Sequence, residues 1–124
     1  SPRAAVLPCG DRTVPLNSCY VARAATLDDA FAFAALLNSS VAAAWLSALA
    51  ETARGGYRRY LGWTMARLPV PRDWAAARAR LAPVGRAAHD GQPPDAHTLT
   101  ELVLRAYGVR HREIAPLLVW CLRS

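Results

Sequence analysis

The sequence predicts an α+β domain in which a small, partial β-sheet is packed by two consecutive helices and is followed by a helical C-terminal extension. Two short stretches near the N-terminus, 4–8 and 13–22, have the composition of β-strands. Apolar side chains then recur at helical spacing between residues 27 and 49, and the second half of the chain carries the boundary signals of further helices. We therefore expect one compact unit, with the partial sheet in residues 1–71 and the helical extension in residues 72–124.

The two predicted strands flank a turn at residues 9–12. Val14, Leu16 and the pair Tyr20-Val21 favour extended backbone. Pro15 cannot donate a hydrogen bond to a neighbouring strand, so its segment is expected at a sheet edge or at a strand start.

The first helix is expected to begin at Thr26 and to end at Asn38. Thr26 and Asp29 have the spacing of a capping box, and the adjacent acids Asp28 and Asp29 complement the positive end of a helix. Adjacent helical residues point to different faces, so we interpret this acidic pair as capping rather than as paired catalytic carboxylates. The apolar face is formed by Leu27, Ala30, Phe31, Phe33, Ala34, Leu36 and Leu37.

A second helix follows at once, capped by Ser39 or by Ser40. Gly55 or Gly56 is expected to end it, because glycine adopts the left-handed cap conformation at little cost. Its predicted buried stripe is Val41, Trp45, Ala48 and Leu49.

The second half of the chain is expected to contain three helices. The first opens at Asp73, runs to about Leu81 and is stopped by Pro83 and Gly85, and residues 89–94 form a linker. The second is expected to start at a capping box formed by Thr98 and Glu101 and to end at Gly108. The last helix is predicted to hold Ile114, Leu117, Leu118, Trp120, Cys121 and Leu122, with Trp120 in the core like Trp45.

The composition places the chain among globular domains. Its hydrophobic fraction is 53%, and no apolar run reaches the ~18–20 residues of a membrane span, so we expect no membrane association. Three cysteines without metal-ligand spacing are expected to be cytosolic thiols. The chain starts at Ser1 without a signal peptide, which suggests an excised fragment of a cytoplasmic protein.

The net charge is +6, which suits a polyanionic partner. All 15 basic residues are arginine, and alanine is abundant, a bias that GC-rich coding gives by itself. The distribution of charge is therefore more informative than its total.

The positive charge is concentrated in residues 52–72, which we call the basic segment. It contains five arginines and no acid. Arginines and aromatic residues are interleaved after two glycines, a pattern that can contact phosphates, reach base edges or stack on bases. Residues 57–61 favour extended backbone, which would place Arg58 and Tyr60 on one face and Tyr57 and Arg59 on the other. The competing interpretation is a buried tyrosine pair with solvated arginines.

Several motifs occur in order along this region: LLNSS at 36–40, ARGGYRRY at 53–60 and LPVP at 68–71. In that order they resemble the C-terminal specificity domain of TaqI-like adenine-N6 DNA methyltransferases, a pattern also found in fused restriction–modification enzymes. The preceding NSCYVARAATLDDAFAFAA and the later ELVLRAYGVRHREIAPLL fit the same family.

The resemblance implies that the chain binds double-stranded DNA beside the methyltransferase domain of a parent protein, which holds S-adenosylmethionine. The implied DNA-binding residues are Arg54, Tyr57, Arg58, Arg59, Tyr60 and Arg67. Enzymes of this class use a catalytic Asn/Asp-Pro-Pro-Tyr/Phe loop, whereas the Pro-Pro pair of this chain lies in a linker sequence, Gln92 to Asp95. We therefore expect no catalytic residue, cofactor or metal in the fragment, which is not predicted to be an enzyme by itself.

A helical module that docks on its own enzyme or on another subunit, without touching DNA, is the alternative. Residues 72–124 support it as well as they support DNA recognition. A free-standing small enzyme has almost no support, because the three histidines lack metal-ligand spacing and no catalytic constellation is visible.

Overall fold

The structure, a computed structural model, describes residues 4–7, 23–49, 51–52, 58–59 and 69–110 of the chain. These residues form four helices and one short antiparallel pair of strands. In chain order the elements are α1 (Leu27–Leu37), α2 (Ser40–Leu49), β1 (Glu51–Thr52), β2 (Arg58–Arg59), α3 (Trp74–His89) and α4 (Ala96–Tyr107).

The predicted α+β architecture is wrong, because the part of the chain that the structure describes is helical. β1 and β2 have two residues each and pair with Glu51 opposite Arg59 and Thr52 opposite Arg58. This pair is not the sheet expected to carry the two helices. α1 instead buries its apolar face against α3, so helix-on-helix packing supplies the core.

The predicted strand at 4–8 is absent over its described residues, 4–7. The side-chain amide of Asn38 takes the place of a neighbouring strand. Its Oδ1 accepts from the Ala4 N–H at 2.7 Å, and its Nδ2 donates to the Ala4 carbonyl at 2.9 Å. Val6 packs against the core from this segment. The predicted strand at 13–22 lies outside the described residues.

The junction of α1 and α2 follows the predicted capping residues. Thr26 accepts the Asp29 N–H at 3.1 Å, and Asn38 ends α1. Ser39, rather than Ser40, caps α2: its hydroxyl donates to the Leu36 carbonyl at 2.6 Å and accepts the Ala42 N–H at 3.2 Å. These bonds hold a bend of 70° between the two helices.

The predicted end of α2 at Gly55 or Gly56 is wrong, since the helix stops at Leu49. The chain leaves the helix before the glycines because Glu51–Thr52 pairs with Arg58–Arg59. Pairing between strands satisfies backbone groups that a longer helix would have satisfied internally.

The predicted stop of α3 at Pro83 and Gly85 is also wrong. The helix starts at Asp73, whose carboxylate accepts the Ala76 N–H, and continues through both residues to His89. Pro83 is exposed, so its ring avoids the packed side of the helix. Gly85 is buried against α1, where a Cβ would lie 2.1 Å from the Phe31 carbonyl oxygen. Close packing of α1 on α3 therefore outweighs two local helix breakers.

The ends of α3 and α4 share one C-capping geometry. Gly91, at φ +86°, closes α3 with a 2.8 Å bond from the Gln92 N–H to the Ala87 carbonyl. Gly108, at φ +69°, closes α4 as predicted, and the Val109 N–H reaches the Leu104 carbonyl at 3.0 Å. The linker predicted at 89–94 thus begins later, because His89 is still helical.

The predicted start of α4 at Thr98 is wrong, because Asp95 caps it. The Asp95 carboxylate accepts both the backbone N–H of Thr98 at 2.9 Å and its hydroxyl at 2.8 Å. The backbone bond, followed by the hydroxyl bond, lowers the pKa of Asp95. An aspartate three residues upstream therefore accepts the Thr98 N–H, and the helix begins before Thr98.

The core is built from small and medium apolar side chains of all four helices. α1 and α3 form the most extensive contact, and α4 packs on α3 and α2. The core cluster is Phe31, Ala32, Ala35, Leu36, Val41, Ala42, Leu81, Ala82, Val103 and Leu104. Trp45, predicted to be core, is 39% exposed, because Ala42, Ala44 and Leu46 form the buried side of α2. Trp120 and the last predicted helix lie outside the described residues.

Among the described helices none is long and apolar enough to cross a membrane alone. Taken together, α1 and residues 40–46 of α2 are long and apolar enough for a membrane span, but the two helices are bent by 70° relative to each other.

Candidate nucleic-acid interface

The structure describes two of the six predicted DNA-binding residues, and those two through their backbone. Arg58 and Arg59 form β2. The other four lie outside the described residues: Arg54, Tyr57, Tyr60 and Arg67. The DNA-binding role of these six residues therefore stays a prediction.

The basic segment leaves the helices at the end of α2. β1 lies directly after α2, and β2 pairs back onto it in antiparallel register. Residues 53–57, which connect the two strands, include Arg54, both glycines and Tyr57. By its eighth position, Arg59, the segment thus lies again beside β1, close to the end of α2.

The segment rejoins the helices at residues 69–71. The Tyr107 hydroxyl, on α4, donates to the Pro69 carbonyl at 2.6 Å. Burial raises the pKa of Tyr107 from 10.0 to about 12, so the phenol keeps its proton at alkaline pH values where an exposed tyrosine begins to lose it. Pro71 is buried, whereas the Val70 side chain is 49% exposed. Among the described residues, the Tyr107 hydrogen bond and the buried ring of Pro71 attach this end of the segment.

A concave apolar surface, which we call the apolar trough, lies beside this attachment. It has a volume of about 150 Å³ and presents no polar surface. α2, α4 and the attached proline contribute its lining residues: Val41, Ala42, Trp45, Pro69, Leu104, Tyr107 and Val109. The exposed Trp45 ring is thus part of a larger apolar surface beside residues 69–71. We call this place, where the basic segment rejoins the helices, the root of the segment.

The acidic pair at the start of α1 has a second role besides capping. Asp29, only 8% exposed, accepts from the Trp74 indole N–H at 2.8 Å and from Arg78 at 3.2 Å. The Trp74 bond, with further bonds from Thr26 and Arg78, lowers the pKa of Asp29 against the opposing effect of desolvation. Asp28 pairs with Arg86 at 3.0 Å in an exposed contact. Both carboxylates therefore join α1 to α3, although they were predicted to serve as caps.

These ion pairs change how the charge on α3 is interpreted. Two of its arginines, Arg78 and Arg86, are paired with acids of α1, while Arg80 is exposed. Arg86 also lies over the Phe31 ring, with its guanidinium carbon 4.8 Å from the ring centroid, and His89 contacts the same ring edge-on at 5.4 Å. The arginines of α3 therefore serve packing as well as charge.

A metal centre finds no support in the described part of the chain, which contains no group of three or more histidine, cysteine, aspartate or glutamate residues able to hold an ion. His89, predicted in a linker, instead packs on Phe31 at the end of α3. His97 lies exposed in the first turn of α4.

Sequence reasoning missed two residues that organise this region, Tyr107 and Asn38. Tyr107 was expected only as part of the helix that ends at Gly108, and Asn38 only as a helix end. Their bonds reach Pro69 and Ala4, which lie 38 and 34 positions away along the chain. The only sequence signal was that both residues belong to the family-like motifs, LLNSS and ELVLRAYG.

Comparisons with protein-family models, with curated proteins and with solved structures find no match for this chain. The TaqI-like resemblance consequently rests on the ordered motifs alone.

Proposed function

We propose that this chain is the DNA target-recognition part of a site-specific adenine-N6 DNA methyltransferase or of a fused restriction–modification enzyme. It binds duplex DNA in the cytoplasm through the basic segment. A separate domain of the parent protein holds S-adenosylmethionine and methylates an adenine flipped out of the duplex. This chain contributes no catalytic residue.

The observation that carries the proposal is a five-arginine, acid-free segment whose two ends meet a packed helical scaffold. At one end, Thr52 pairs with Arg58 in the short antiparallel pair directly after α2. At the other end, the Tyr107 hydroxyl of α4 donates to the Pro69 carbonyl. Arginine contacts on phosphates hold a protein in register, and arginine forks read guanine edges in the major groove. Tyr57 and Tyr60 supply aromatic faces for stacking.

Duplex DNA binding measured at several salt concentrations tests the proposal. About four phosphate contacts predict a log–log slope near −3.6, because each releases ~0.9 counterion equivalents from duplex DNA. Arg58→Ala/Arg59→Ala should flatten that slope by about 1.8. The matched control is Arg80→Ala/Arg105→Ala, which removes the same charge from exposed positions on α3 and α4.

Equal losses from both double variants would show that charge alone binds DNA and would contradict the proposal. A parent reading frame without a Pro-Pro-aromatic catalytic loop would contradict the enzyme class. If either arginine reads a guanine, its loss should also cost ~1–3 kcal/mol on the cognate site and relax base preference there.

The second candidate is a docking module of the same kind of enzyme that makes no DNA contact. The apolar trough favours it, because its Trp45 is 39% exposed and Val70, which follows the lining residue Pro69, is 49% exposed. Exposed apolar surface of this kind is typical of protein-binding sites. Under this alternative, Trp45→Ala should weaken association with the methyltransferase domain, and Arg58→Ala/Arg59→Ala should leave both association and DNA binding unchanged.

A further inference from the structure

Residues 69–71, where the basic segment returns to the scaffold, offer few hydrogen-bond donors. Pro69 and Pro71 have no N–H group, so most of the hydrogen-bonding capacity of residues 69–71 is in their carbonyls. The Val70 side chain is 49% exposed and anchors little. The Pro69 carbonyl is thus a natural point of attachment, and the Tyr107 hydroxyl donates to it at 2.6 Å.

Tyr107 is well placed for this bond because its own helix is fixed. Val103 and Leu104, on the preceding turn of α4, are 0% and 2% exposed. Gly108 closes the helix directly after Tyr107, with the Val109 N–H bonded to the Leu104 carbonyl. The phenol ring lines the apolar trough together with Pro69, so the aromatic body and the hydroxyl hold the same residue.

We propose that Tyr107 is a positioning residue, which fixes the point where the basic segment rejoins the helices and so restricts the segment before it meets DNA. The inference rests on the proposed function, and it extends that function to a residue that makes no DNA contact. A binding segment that is ordered before it meets its partner loses less conformational entropy on association. Removing the bond should therefore lower affinity without removing any phosphate contact.

The test compares Tyr107→Phe with Thr100→Val in the whole chain. Tyr107→Phe keeps the ring in the trough and deletes the hydroxyl. Thr100→Val deletes another hydroxyl of α4, one that donates to the Ala96 carbonyl within the helix. Both variants lose one hydrogen bond of the same helix, and only one of those bonds reaches the segment.

The first readout is the initial rate of tryptic cleavage after Arg67 and Arg72, which needs no DNA. We expect about a fivefold increase in Tyr107→Phe, the factor by which losing one ordinary hydrogen bond shifts an opening equilibrium. Thr100→Val should leave this rate unchanged. Equal rates in the two variants would overturn the positioning role, whatever the DNA measurements show.

The second readout is affinity for a mixed-sequence DNA duplex as a function of salt. Tyr107→Phe should bind about fivefold more weakly with an unchanged salt slope, since every arginine is still present. If Arg58→Ala/Arg59→Ala flattens the slope while Tyr107→Phe matches Thr100→Val, the positioning role fails and the proposed function stands. If Arg58→Ala/Arg59→Ala has no effect on DNA binding, the proposed function fails. If Tyr107→Phe is then still cleaved faster than Thr100→Val, Tyr107 positions the segment for a purpose other than DNA binding.

Discussion

The α1–α3 interface and the root of the basic segment are held by different kinds of contact. At the interface, Gly85 lets two helix backbones approach closely at Phe31, and a nearly buried carboxylate, Asp29, bonds to the opposite helix. At the root, the phenol of Tyr107 holds a carbonyl beside an open apolar trough. The first arrangement leaves no room for adjustment, whereas the second leaves apolar surface accessible.

The difference indicates that the α1–α3 interface determines the stability of the fold, whereas the root determines how the basic segment is held. Local opening needs the least free energy where few buried apolar contacts hold the chain. The root has an exposed Val70 and a partly exposed Trp45, while α1 and α3 bury Leu81 and Ala32 completely. We therefore expect substitutions at the interface to change global stability, and substitutions at the root to change the behaviour of the basic segment.

The largest expected effect comes from adding a single methyl group at the interface. In Gly85→Ala the new Cβ would lie 2.1 Å from the Phe31 carbonyl oxygen and 2.7 Å from its carbonyl carbon, so the two backbones must separate. We expect a loss of ~3 kcal/mol or more in the free energy of unfolding, measured by urea denaturation.

Gly91→Ala is the matched control for that change. Its Cβ would meet nothing within 4 Å, but its φ of +86° strains any other residue, so a loss of about 1 kcal/mol is expected. Equal losses at both positions would mean that α1 and α3 can move apart freely, and the contrast with the root would disappear.

The second prediction tests whether packing on α1 supports a weak position in α3. Pro83 is exposed inside the helix and cannot donate the backbone bond that its neighbours donate. Pro83→Ala restores that donor and should raise the free energy of unfolding by about 2 kcal/mol, after the entropy gained by the unfolded chain is subtracted. Pro93→Ala, in the loop before α4, restores no helical bond and should stabilise nothing. A destabilised Pro83→Ala would show that the ring itself packs.

The outcome at Pro83 and Gly85 also shows what the sequence alone could predict. Thr26, Asp73 and Gly108 were identified correctly, because a cap depends on side chains and backbone groups within one turn. Pro83 and Gly85 were misinterpreted as a helix end, because the packing of α3 on α1 is remote in sequence; the backbone that Gly85 meets belongs to Phe31, more than 50 positions away. Where local sequence signals and tertiary contacts disagreed about the end of α3, the tertiary contacts determined it.

The same reasoning applies to the candidate site. The arginines of the basic segment were found from composition, which requires no knowledge of contacts. Trp45 was placed in the core because its spacing fits an apolar stripe, but which side of α2 is buried depends on where α4 packs. Tyr107 was missed as an anchor because its partner, Pro69, is remote in sequence. Composition located the segment, and only the fold located its attachment.

Acid titration of Asp29 gives the third prediction. Its pKa lies below the ordinary value of 3.8 in the folded state, so its contribution to stability is present above pH 3.8 and is lost as the pH falls through the folded pKa. Asp29→Asn keeps an acceptor for Trp74 but no charge for Arg78. It should melt at a lower temperature than the wild type at pH 7, and the difference should shrink below pH 3.8. A constant difference across that range would exclude the charged contact as the cause.

Alkaline titration of Tyr107 gives the fourth prediction and tests the burial of this phenol at the root. The pKa of Tyr107 is about 12 in the folded state against 10.0 when unfolded, so between these values the unfolded state loses the proton first. The free energy of unfolding should therefore fall as the pH rises from 10 to 12. Tyr107→Phe starts about 1 kcal/mol lower at pH 7 and should lack this part of the decline. Parallel curves for the two proteins would mean that the phenol is not buried as the structure places it.

The smallest expected effect belongs to Asp28, which occupies the same turn of α1 as Asp29 but makes a different contact. The Asp28–Arg86 pair has side chains that are 61% and 50% exposed, and exposed pairs contribute little because water and salt screen them. Asp28→Asn should change the free energy of unfolding by less than ~0.5 kcal/mol, and 0.5 M salt should remove the change. Arg86 keeps its contact with the Phe31 ring in this variant, so the packing on that side of α1 is preserved. If Asp28→Asn lowers the melting temperature as much as Asp29→Asn, total charge at the start of α1 stabilises the interface. If only Asp29→Asn does so, the buried bonds to Trp74 and Arg78 are the cause, and the α1–α3 contact depends on burial rather than on charge.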